Sequence, residues 1–185
     1  MNGISERTGC GSCELRSLIQ GSKVAQEIEI RQATGSDEPA LTKIDLDTHS
    51  PLSTIGPPPG ADHSVFGERT RPERTLVALV GGEPAGYIAM MPPTPHPSHA
   101  HVLEICGLSV DPARQRLGIG RALIEAAIRE APERGARRLT LRVLATNDAS
   151  RKLYESCGFT VEGILREEFH LAGAYVDDLL MARSV

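Results

Sequence analysis

The fold of this chain is decided by the segment Arg114-Gln115-Arg116-Leu117-Gly118-Ile119-Gly120-Arg121. It follows a strand-like apolar stretch and opens an amphipathic helix with apolar residues at i and i+4. Its two glycines let the backbone approach a ligand closely. A helix start also offers unpaired N–H groups and the positive end of the helix dipole. Together with three arginines, this arrangement favours binding of a phosphate group.

Two better-known phosphate-binding patterns do not fit this segment. A dinucleotide fingerprint requires a third glycine where Leu123 stands, and a P-loop requires Gly-Lys followed by Ser or Thr, which is absent. The predicted phosphate ligand is therefore neither NAD nor ATP. For two glycines alone, capping of an ordinary strand-to-helix turn is an equally good interpretation, so the surrounding sequence has to decide.

Length and composition predict one compact domain without a nucleic-acid partner. The chain has 185 residues, 40% of them hydrophobic, and its 20 Lys and Arg against 24 Asp and Glu give a net charge of −4. This length suffices for a sizeable core. The mildly acidic balance lacks the basic surface that binds duplexes. Trp is absent, and three Phe and three Tyr supply few stacking platforms for single strands.

The amino-terminal part of the chain carries no periodicity. Residues 1–25 are predicted to be a flexible leader or an expression remnant, and residues 26–185 a single domain. The longest clean apolar run, Leu76 to Val80, is far too short for a membrane span, so a cytoplasmic location without membrane contact is expected. Cys10 and Cys13 form a C-x-x-C that suggests redox chemistry or half a zinc site. Because no second pair accompanies them, no metal site is expected.

Hydrophobic alternation and turn residues on either side of the loop predict seven strands and three helices. Strands are expected at 27–31, 75–80, 85–91, 102–110, 139–143, 159–168 and 174–182, and helices at 36–45, 118–131 and from Asn147 to Gly158. The second helix is expected to end before Pro132. Glycine-containing turns at 81–82 and 172–173 predict hairpins. This order of elements predicts an α/β (α+β) fold, a mixed sheet flanked by helices.

Three motifs, in this order, resemble those of the GNAT superfamily of N-acetyltransferases. They are Leu108-Ser109-Val110-Asp111-Pro112, Gln115-x-x-Gly118-x-Gly120 and Asn147-Asp148-Ala149-Ser150-Arg151-Lys152-Leu153-Tyr154-Glu155-Ser156-Cys157-Gly158-Phe159. The predicted element order is also similar to that of the family, from about Glu27 to Arg183. The resemblance implies an acyl-CoA N-acyltransferase fold. It further implies direct transfer of acetyl from acetyl-CoA to a primary amine, in a small molecule or a peptide, through a ternary complex.

The resemblance also implies where acetyl-CoA binds. Its pyrophosphate would lie over the loop 115–120 and its pantetheine arm along the splayed end of strand 103–110, with Asn147 and Tyr154 facing it. The implied cofactor-binding residues are Leu108, Ser109, Val110, Gln115, Arg116, Leu117, Gly118, Ile119, Gly120, Arg121, Asn147, Ser150 and Tyr154. Arg116 stands where many members have glycine, which bears on the phosphate contacts. Residues 46–75, where such proteins bind their acceptors, match no recognised pattern.

Transfer to an amine needs a group that removes a proton. An amine with a pKa near 10.4 is neutral in about one molecule in 10³ to 10⁴ at pH 7, which costs about 4 to 5 kcal/mol. Glu104, on the strand leading to the cofactor, is the first candidate base, acting through water, and His101 and His99 come next. A solvated strand carboxylate is the alternative interpretation of Glu104. Tyr154 is the candidate acid for the departing CoA thiolate, unless its ring merely packs in the core.

Other reaction classes fit the sequence less well. A hydrolase elbow would need glycine where Asp111 stands. Cys106 could carry the acetyl group, but no histidine stands at an identifiable partnering position. Direct transfer is simpler, with a backbone N–H near 108–110 meeting the charge on the thioester oxygen. A non-catalytic acyl-CoA-binding or regulatory module on the same fold is the second hypothesis. The sequence leaves a homodimer open.

Overall fold

A computed structural model describes residues 27–50, 54–56, 59–60 and 62–185 of the chain. The expected leader 1–25, with Cys10 and Cys13, lies outside the described residues. Within the described part, no helix combines the length and the apolar character needed to cross a bilayer.

Seven strands and three α-helices make up the described fold. The strands are β1 (Ile28–Gln32), β2 (Thr75–Val80), β3 (Glu83–Met91), β4 (Val102–Val110), β5 (Arg138–Leu144), β6 (Thr160–Leu171) and β7 (Ala174–Ser184). The helices are α1 (Glu38–Thr48), α2 (Ile119–Glu133) and α3 (Asp148–Ser156). Short 3₁₀ turns precede α1, β2 and β4, and a fourth follows β4.

All seven strands join one sheet in the order β1-β2-β3-β4-β5-β7-β6. Every neighbouring pair is antiparallel except β4 and β5, which run parallel. The chain connects this parallel pair through α2, as a parallel crossover requires. The mixed sheet with flanking helices is therefore confirmed.

The two central strands β4 and β5 pair over only part of their length. Their register runs from Val102 opposite Arg138 to Ile105 opposite Leu141, and it stops there although β4 continues to Val110. On its other side β4 has a bulge, because Ala89 pairs with Gly107 while Met90 pairs with Ile105. Cys106 is thus the extra residue of the bulge. The two strands consequently diverge, and the segment 106–110 of β4 has no strand paired on its β5 side.

Helices cover both faces of this sheet. On one face, α2 buries Leu123, Ile124 and Ala127 completely against the strands. On the other, α1 packs Leu41 and Ile44 against a smaller cluster that includes Tyr87. Because both faces are covered, β2 is buried at every position instead of alternating.

Helix α2 does not end before Pro132 as expected. It runs on to Glu133 and contains the proline in its last turn. There the missing N–H removes one hydrogen bond. The N–H groups of Arg134 and Ala136 still close the end of the helix onto carbonyls of its last turn. Gly135 follows in the left-handed region at φ 81°. The prediction was wrong because a proline this close to the helix end is tolerated.

Candidate active site

The glycine-containing loop adopts the backbone that its sequence predicts. Gly118 caps α2 in the left-handed region at φ 86°, and Arg116 has φ 66°. A positive φ strains any residue with a Cβ, which explains why glycine suits position 116 in the family. The N–H groups of Ile119, Gly120 and Arg121 have no acceptor among the described residues, because the first bond of α2 is donated by Ala122 to Gly118. The loop therefore presents a set of unpaired donors.

The three arginines of the loop have different surroundings. Arg114 turns back to Asp111 at 3.6 Å and to the carbonyl oxygens of Val80 and Glu83. Arg121 donates to the Oγ of Ser156 at 2.8 Å and so links α2 to α3. Arg116 is exposed, and no described residue pairs with its guanidinium. Of the three side chains, Arg116 is the one left without a protein partner in the described part of the chain.

Asn147 and Ser150 position the start of α3. The Oδ1 of Asn147 accepts a hydrogen bond from the N–H of Ser150 at 3.1 Å, which makes Asn147 the N-cap. The helix ends at Ser156, and Gly158 follows its C-cap with a φ of 84°, as expected of a glycine that stops a helix. Three residues separate the end of β5 from the start of α3, so this cap fixes where the helix begins after the strand.

Tyr154 combines a packed ring with an unpartnered hydroxyl. The residue is 7% exposed, and its ring meets Phe159 edge-on at 5.9 Å between centroids. No hydrogen bond joins its hydroxyl to another described residue. Burial, with a smaller contribution from Cys157, raises the pKa of Tyr154 to about 12. The ring therefore belongs to the core, as one interpretation expects, while the hydroxyl stays protonated and available as a donor.

Glu104 has one charged partner in the described structure. Its Oε1 lies 3.0 Å from Nη2 of Arg69, a residue of the loop before β2. The Glu104 side chain is 19% exposed and that of Arg69 is 62% exposed. Glu104 is therefore not a fully solvated strand carboxylate, and no pattern in the sequence indicates its partner, which stands 35 residues away. His99 and His101 lie just before β4, where their rings contact each other edge-on at 6.1 Å.

Cys106, the bulged residue of β4, is held as a thiol. Its Sγ lies 3.4 Å from the carbonyl oxygen of Arg69 and 3.6 Å from that of Ala89. Burial raises the pKa of the Cys106 thiol above its ordinary value. A protonated thiol is a poor nucleophile, so the surroundings of Cys106 favour direct transfer over a covalent intermediate.

A polar network on the α1 face of the sheet was not anticipated from the sequence. Oδ2 of Asp45 lies 2.8 Å from Nε2 of His63, and its Oδ1 accepts a hydrogen bond from the buried hydroxyl of Tyr87. The Oγ of Ser109, on the diverging part of β4, lies 3.5 Å from the same Oδ1. The Oγ1 of Thr48 adds a contact to Ser109 at 3.3 Å. Apart from Ser109, which lies in the first of the three motifs, no local pattern marks these residues, because four separate elements contribute them.

Metal ligands are a separate question. Within residues 27–50, 54–56, 59–60 and 62–185, no three His, Cys, Asp or Glu side chains are grouped closely enough to hold a metal ion.

Known proteins share this fold and its motifs. The model of the acetyltransferase (GNAT) family matches residues 39–159. The ribosomal protein bS18-alanine N-acetyltransferase of Escherichia coli (strain K12) is 43% identical over 75 residues, which are 40% of this chain and 51% of that protein. The chain thus matches about half the length of this relative.

Two further comparisons extend over nearly the whole fold. The L-amino acid N-acetyltransferase AaaT of Escherichia coli (strain K12) is 31% identical over 162 residues, covering 85% of this chain and 98% of that protein. The structure of a GCN5-related N-acetyltransferase from Kribbella flavida is similar with a TM-score of 0.71 at 28% identity, covering 85% of this chain and 98% of that one. Because the family model and the long alignment to AaaT agree with the sheet order and the loop geometry, this chain belongs to the GNAT acetyltransferase family.

Proposed function

We propose that this protein transfers the acetyl group of acetyl-CoA directly to a primary amine. One observation carries the proposal: β4 diverges from β5 beside the unpaired N–H groups at the start of α2. That arrangement offers a cleft for an extended thioester next to donors for a pyrophosphate. In this scheme the loop 115–121 binds the phosphates, residues 108–110 bind the pantetheine arm, and Asn147 and Ser150 line the cleft from α3.

Two properties of the loop support acetyl-CoA as the co-substrate. Its N–H groups converge at a helix start, where an anion is stabilised by the dipole as well as by hydrogen bonds. Arg116, exposed and without a partner among the described residues, can add a charge-assisted bond to phosphate. No step of this scheme uses a metal.

The acid and base of the reaction are assigned to Tyr154 and Glu104. Glu104 accepts a proton from the acceptor through water, and an acceptor ammonium can replace Arg69 as its charged partner. The hydroxyl of Tyr154 donates a hydrogen bond to the departing CoA thiolate and supplies its proton. With a pKa of about 12, Tyr154 is protonated throughout the physiological range. The Cys106 thiol takes no covalent part.

The acceptor class is proposed from the relatives and from the charges of the cleft. One relative is named for the alanine of a ribosomal protein and another for L-amino acids. Both names fit an α-amine, either of a free amino acid or of a peptide. Glu104 supplies the negative charge that a cationic amine needs, and Arg69 beside it can meet a carboxylate. We therefore propose an α-amine as the acceptor. The single domain 26–185 and the cytoplasmic location are retained as proposals.

A panel of amines with acetyl-CoA tests the proposal. It should pair L-amino acids with their amides and with short peptides, and it should include amines without an α-carbonyl group. Release of free CoA is read against the rate of hydrolysis without acceptor, and mass spectrometry identifies the N-acetyl product. We expect turnover with α-amines. Binding of acetyl-CoA without CoA release across the panel would instead support the non-catalytic acyl-CoA-binding module. Light scattering on the same preparation would reveal a homodimer.

A further inference from the structure

The network around Asp45 connects a loop to the cleft of the proposed transferase. His63 belongs to the connection between α1 and β2. Asp45 lies near the end of α1, and Ser109 lies on the part of β4 that has left β5. The side chains of His63 and Asp45 are 26% and 28% exposed. The network is thus partly open to solvent and reaches the strand that we propose holds the pantetheine arm.

The contact with Asp45 determines which nitrogen of the His63 ring carries the proton. A carboxylate oxygen accepts hydrogen bonds, so the Nε2 that lies 2.8 Å from Oδ2 is the donor. A neutral imidazole with its proton on Nε2 has a lone pair on Nδ1. No described residue hydrogen-bonds this Nδ1. Asp45 therefore orients His63 as a base is oriented by a carboxylate in other acyl-transfer sites.

Burial raises the pKa values of two titratable side chains in this region, Tyr87 and Cys106. Tyr87 of β3 is 3% exposed, and burial, followed by the charge of Asp45, raises the pKa of Tyr87 far above its ordinary value. Tyr87 therefore remains a donor to Asp45. Cys106 of β4 is a titratable group near Tyr87, and burial raises its pKa, so it is also protonated. The carboxylate of Glu38 of α1 accepts a hydrogen bond from the hydroxyl of Ser64, the residue that follows His63.

We infer that His63 is a catalytic base for the acceptor amine and that Asp45 is its positioning residue. The inference rests on the proposed acetyltransferase activity. Nδ1 of His63 takes one proton from the acceptor ammonium, and the resulting imidazolium, stabilised by Asp45, passes it to solvent. The neutral amine then forms the C–N bond to the acetyl carbon.

The protons of the reaction balance in this scheme. Acetylation of an ammonium releases two protons, of which one ends on the CoA sulfur and the other in bulk water. His63 carries the proton that leaves before the attack. Glu104 receives, through water, the proton that leaves nitrogen as the C–N bond forms. The C–S bond breaks with its electron pair on sulfur, Tyr154 protonates that thiolate, and the proton on Glu104 returns to Tyr154 through water.

The substitution His63→Gln distinguishes a catalytic base from a side chain that only anchors its loop to Asp45. The glutamine amide can still donate to Asp45, but it cannot accept a proton at neutral pH. We expect kcat/KM to fall by about 10- to 100-fold at pH 7, with partial recovery at high pH as free amine accumulates. Added imidazole should restore part of the loss in His63→Ala. His96→Asn, at an exposed loop histidine, is the matched control and should leave the rate unchanged. Wild-type kcat and an unchanged pH profile in His63→Gln would overturn the inference.

Asp45→Asn tests the orientation of the ring. The asparagine amide can donate to Nε2 and so favours the tautomer with its proton on Nδ1, which has no lone pair for the acceptor. We expect a loss similar to that of His63→Gln although the histidine is present. Full activity of this variant would remove the positioning role.

The tautomer of His63 can be measured without any substrate. Long-range ¹⁵N–¹H NMR of the wild-type imidazole should show the proton on Nε2, and a proton on Nδ1 would overturn the inference even if the variants fail to fold. The two proposals fail differently. Absence of CoA release by the wild-type protein contradicts the proposed function, whereas an active wild type with an unaffected His63→Gln variant contradicts only the role of His63.

Discussion

Gly120 of α2 lies directly against Leu153 of α3: a Cβ at Gly120 would lie 3.1 Å from Cδ2 of that leucine. The same Cβ would lie 3.8 Å from Cγ2 of Val110 at the diverging end of β4. Gly120 therefore lies where α2 and α3 pack closely, and a side chain there would require Leu153 to shift. Gly118 differs, because a Cβ there meets nothing within 4 Å and only its positive φ demands glycine.

Gly120→Val should accordingly weaken acetyl-CoA binding and the fold together. From the sequence alone we expect weaker binding without unfolding. The contact with Leu153 adds overpacking of about 1 to 3 kcal/mol, which displaces the helix that carries Tyr154. We expect a lower melting temperature by scanning calorimetry and a lower affinity by titration calorimetry. Gly67→Val, at an exposed glycine where a Cβ would meet nothing within 4 Å and φ is not positive, is the matched control. Weaker binding in Gly120→Val at an unchanged melting temperature would show that only ligand approach matters.

Tyr154→Phe should reduce turnover without disturbing the fold. The substitution keeps the ring packed on Phe159 and removes a hydroxyl that no described residue engages. We expect kcat to fall at least about tenfold, within the usual range of acid catalysis, with acetyl-CoA affinity and melting temperature little changed. Because the pKa of Tyr154 is raised to about 12, its titration should add no limb to the rate profile below about pH 10. Tyr175→Phe, at a tyrosine that is 69% exposed, is the control. Full activity of Tyr154→Phe, with chemistry limiting turnover, excludes it as the acid.

Glu104→Gln should lower the rate most strongly near neutral pH. The amide retains the size of the carboxylate but can neither accept the proton nor form an ion pair with Arg69. High pH should restore part of the activity, because hydroxide can then take the proton that leaves nitrogen as the C–N bond forms. The measurement is kcat/KM against pH for both proteins. Glu162→Gln, in an exposed ion pair with Arg138, is the control. A profile parallel to that of the wild type would transfer the role to His101, His63 or water.

The ion pair between Arg31 and Asp37 should make the free energy of unfolding depend on pH in the acid range. Asp37 is 5% exposed and accepts two hydrogen bonds from Arg31, each 2.8 Å long, which lower the pKa of Asp37 to about 2. A folded-state pKa below the unfolded value stabilises the protein above about pH 4, and this contribution, about 2 kcal/mol, is lost as the pH falls from about 4 to 2. Urea unfolding at several pH values should show this loss. Asp37→Asn should be less stable at pH 7 and show a flatter curve in that range, and equal slopes would contradict the assignment.

The helices and strands of this fold follow largely from patterns among residues that are adjacent in the sequence. Short apolar runs bounded by turn residues predict β2 over 75–80 and β4 over 102–110 with the bounds that they have, because both signals lie in adjacent residues of the sequence. The turn at 172–173 follows in the same way, and its two residues have φ values of 49° and 85°. The end of α2 is the exception, because tolerance of Pro132 depends on its distance from the helix end.

Only the tertiary structure decided which polar side chains contact one another. Asp45 is separated from His63 by 18 residues, from Tyr87 by 42 and from Ser109 by 64, yet all three contact its carboxylate. The sequence likewise shows Glu104 but not Arg69, which stands 35 residues away. Such contacts depend on strand order, on the bulge at Cys106 and on the course of the loop before β2. A pattern of alternating residues specifies which side chains of a strand lie on each face of the sheet. The side chains of other elements that they contact are determined only when the sheet assembles.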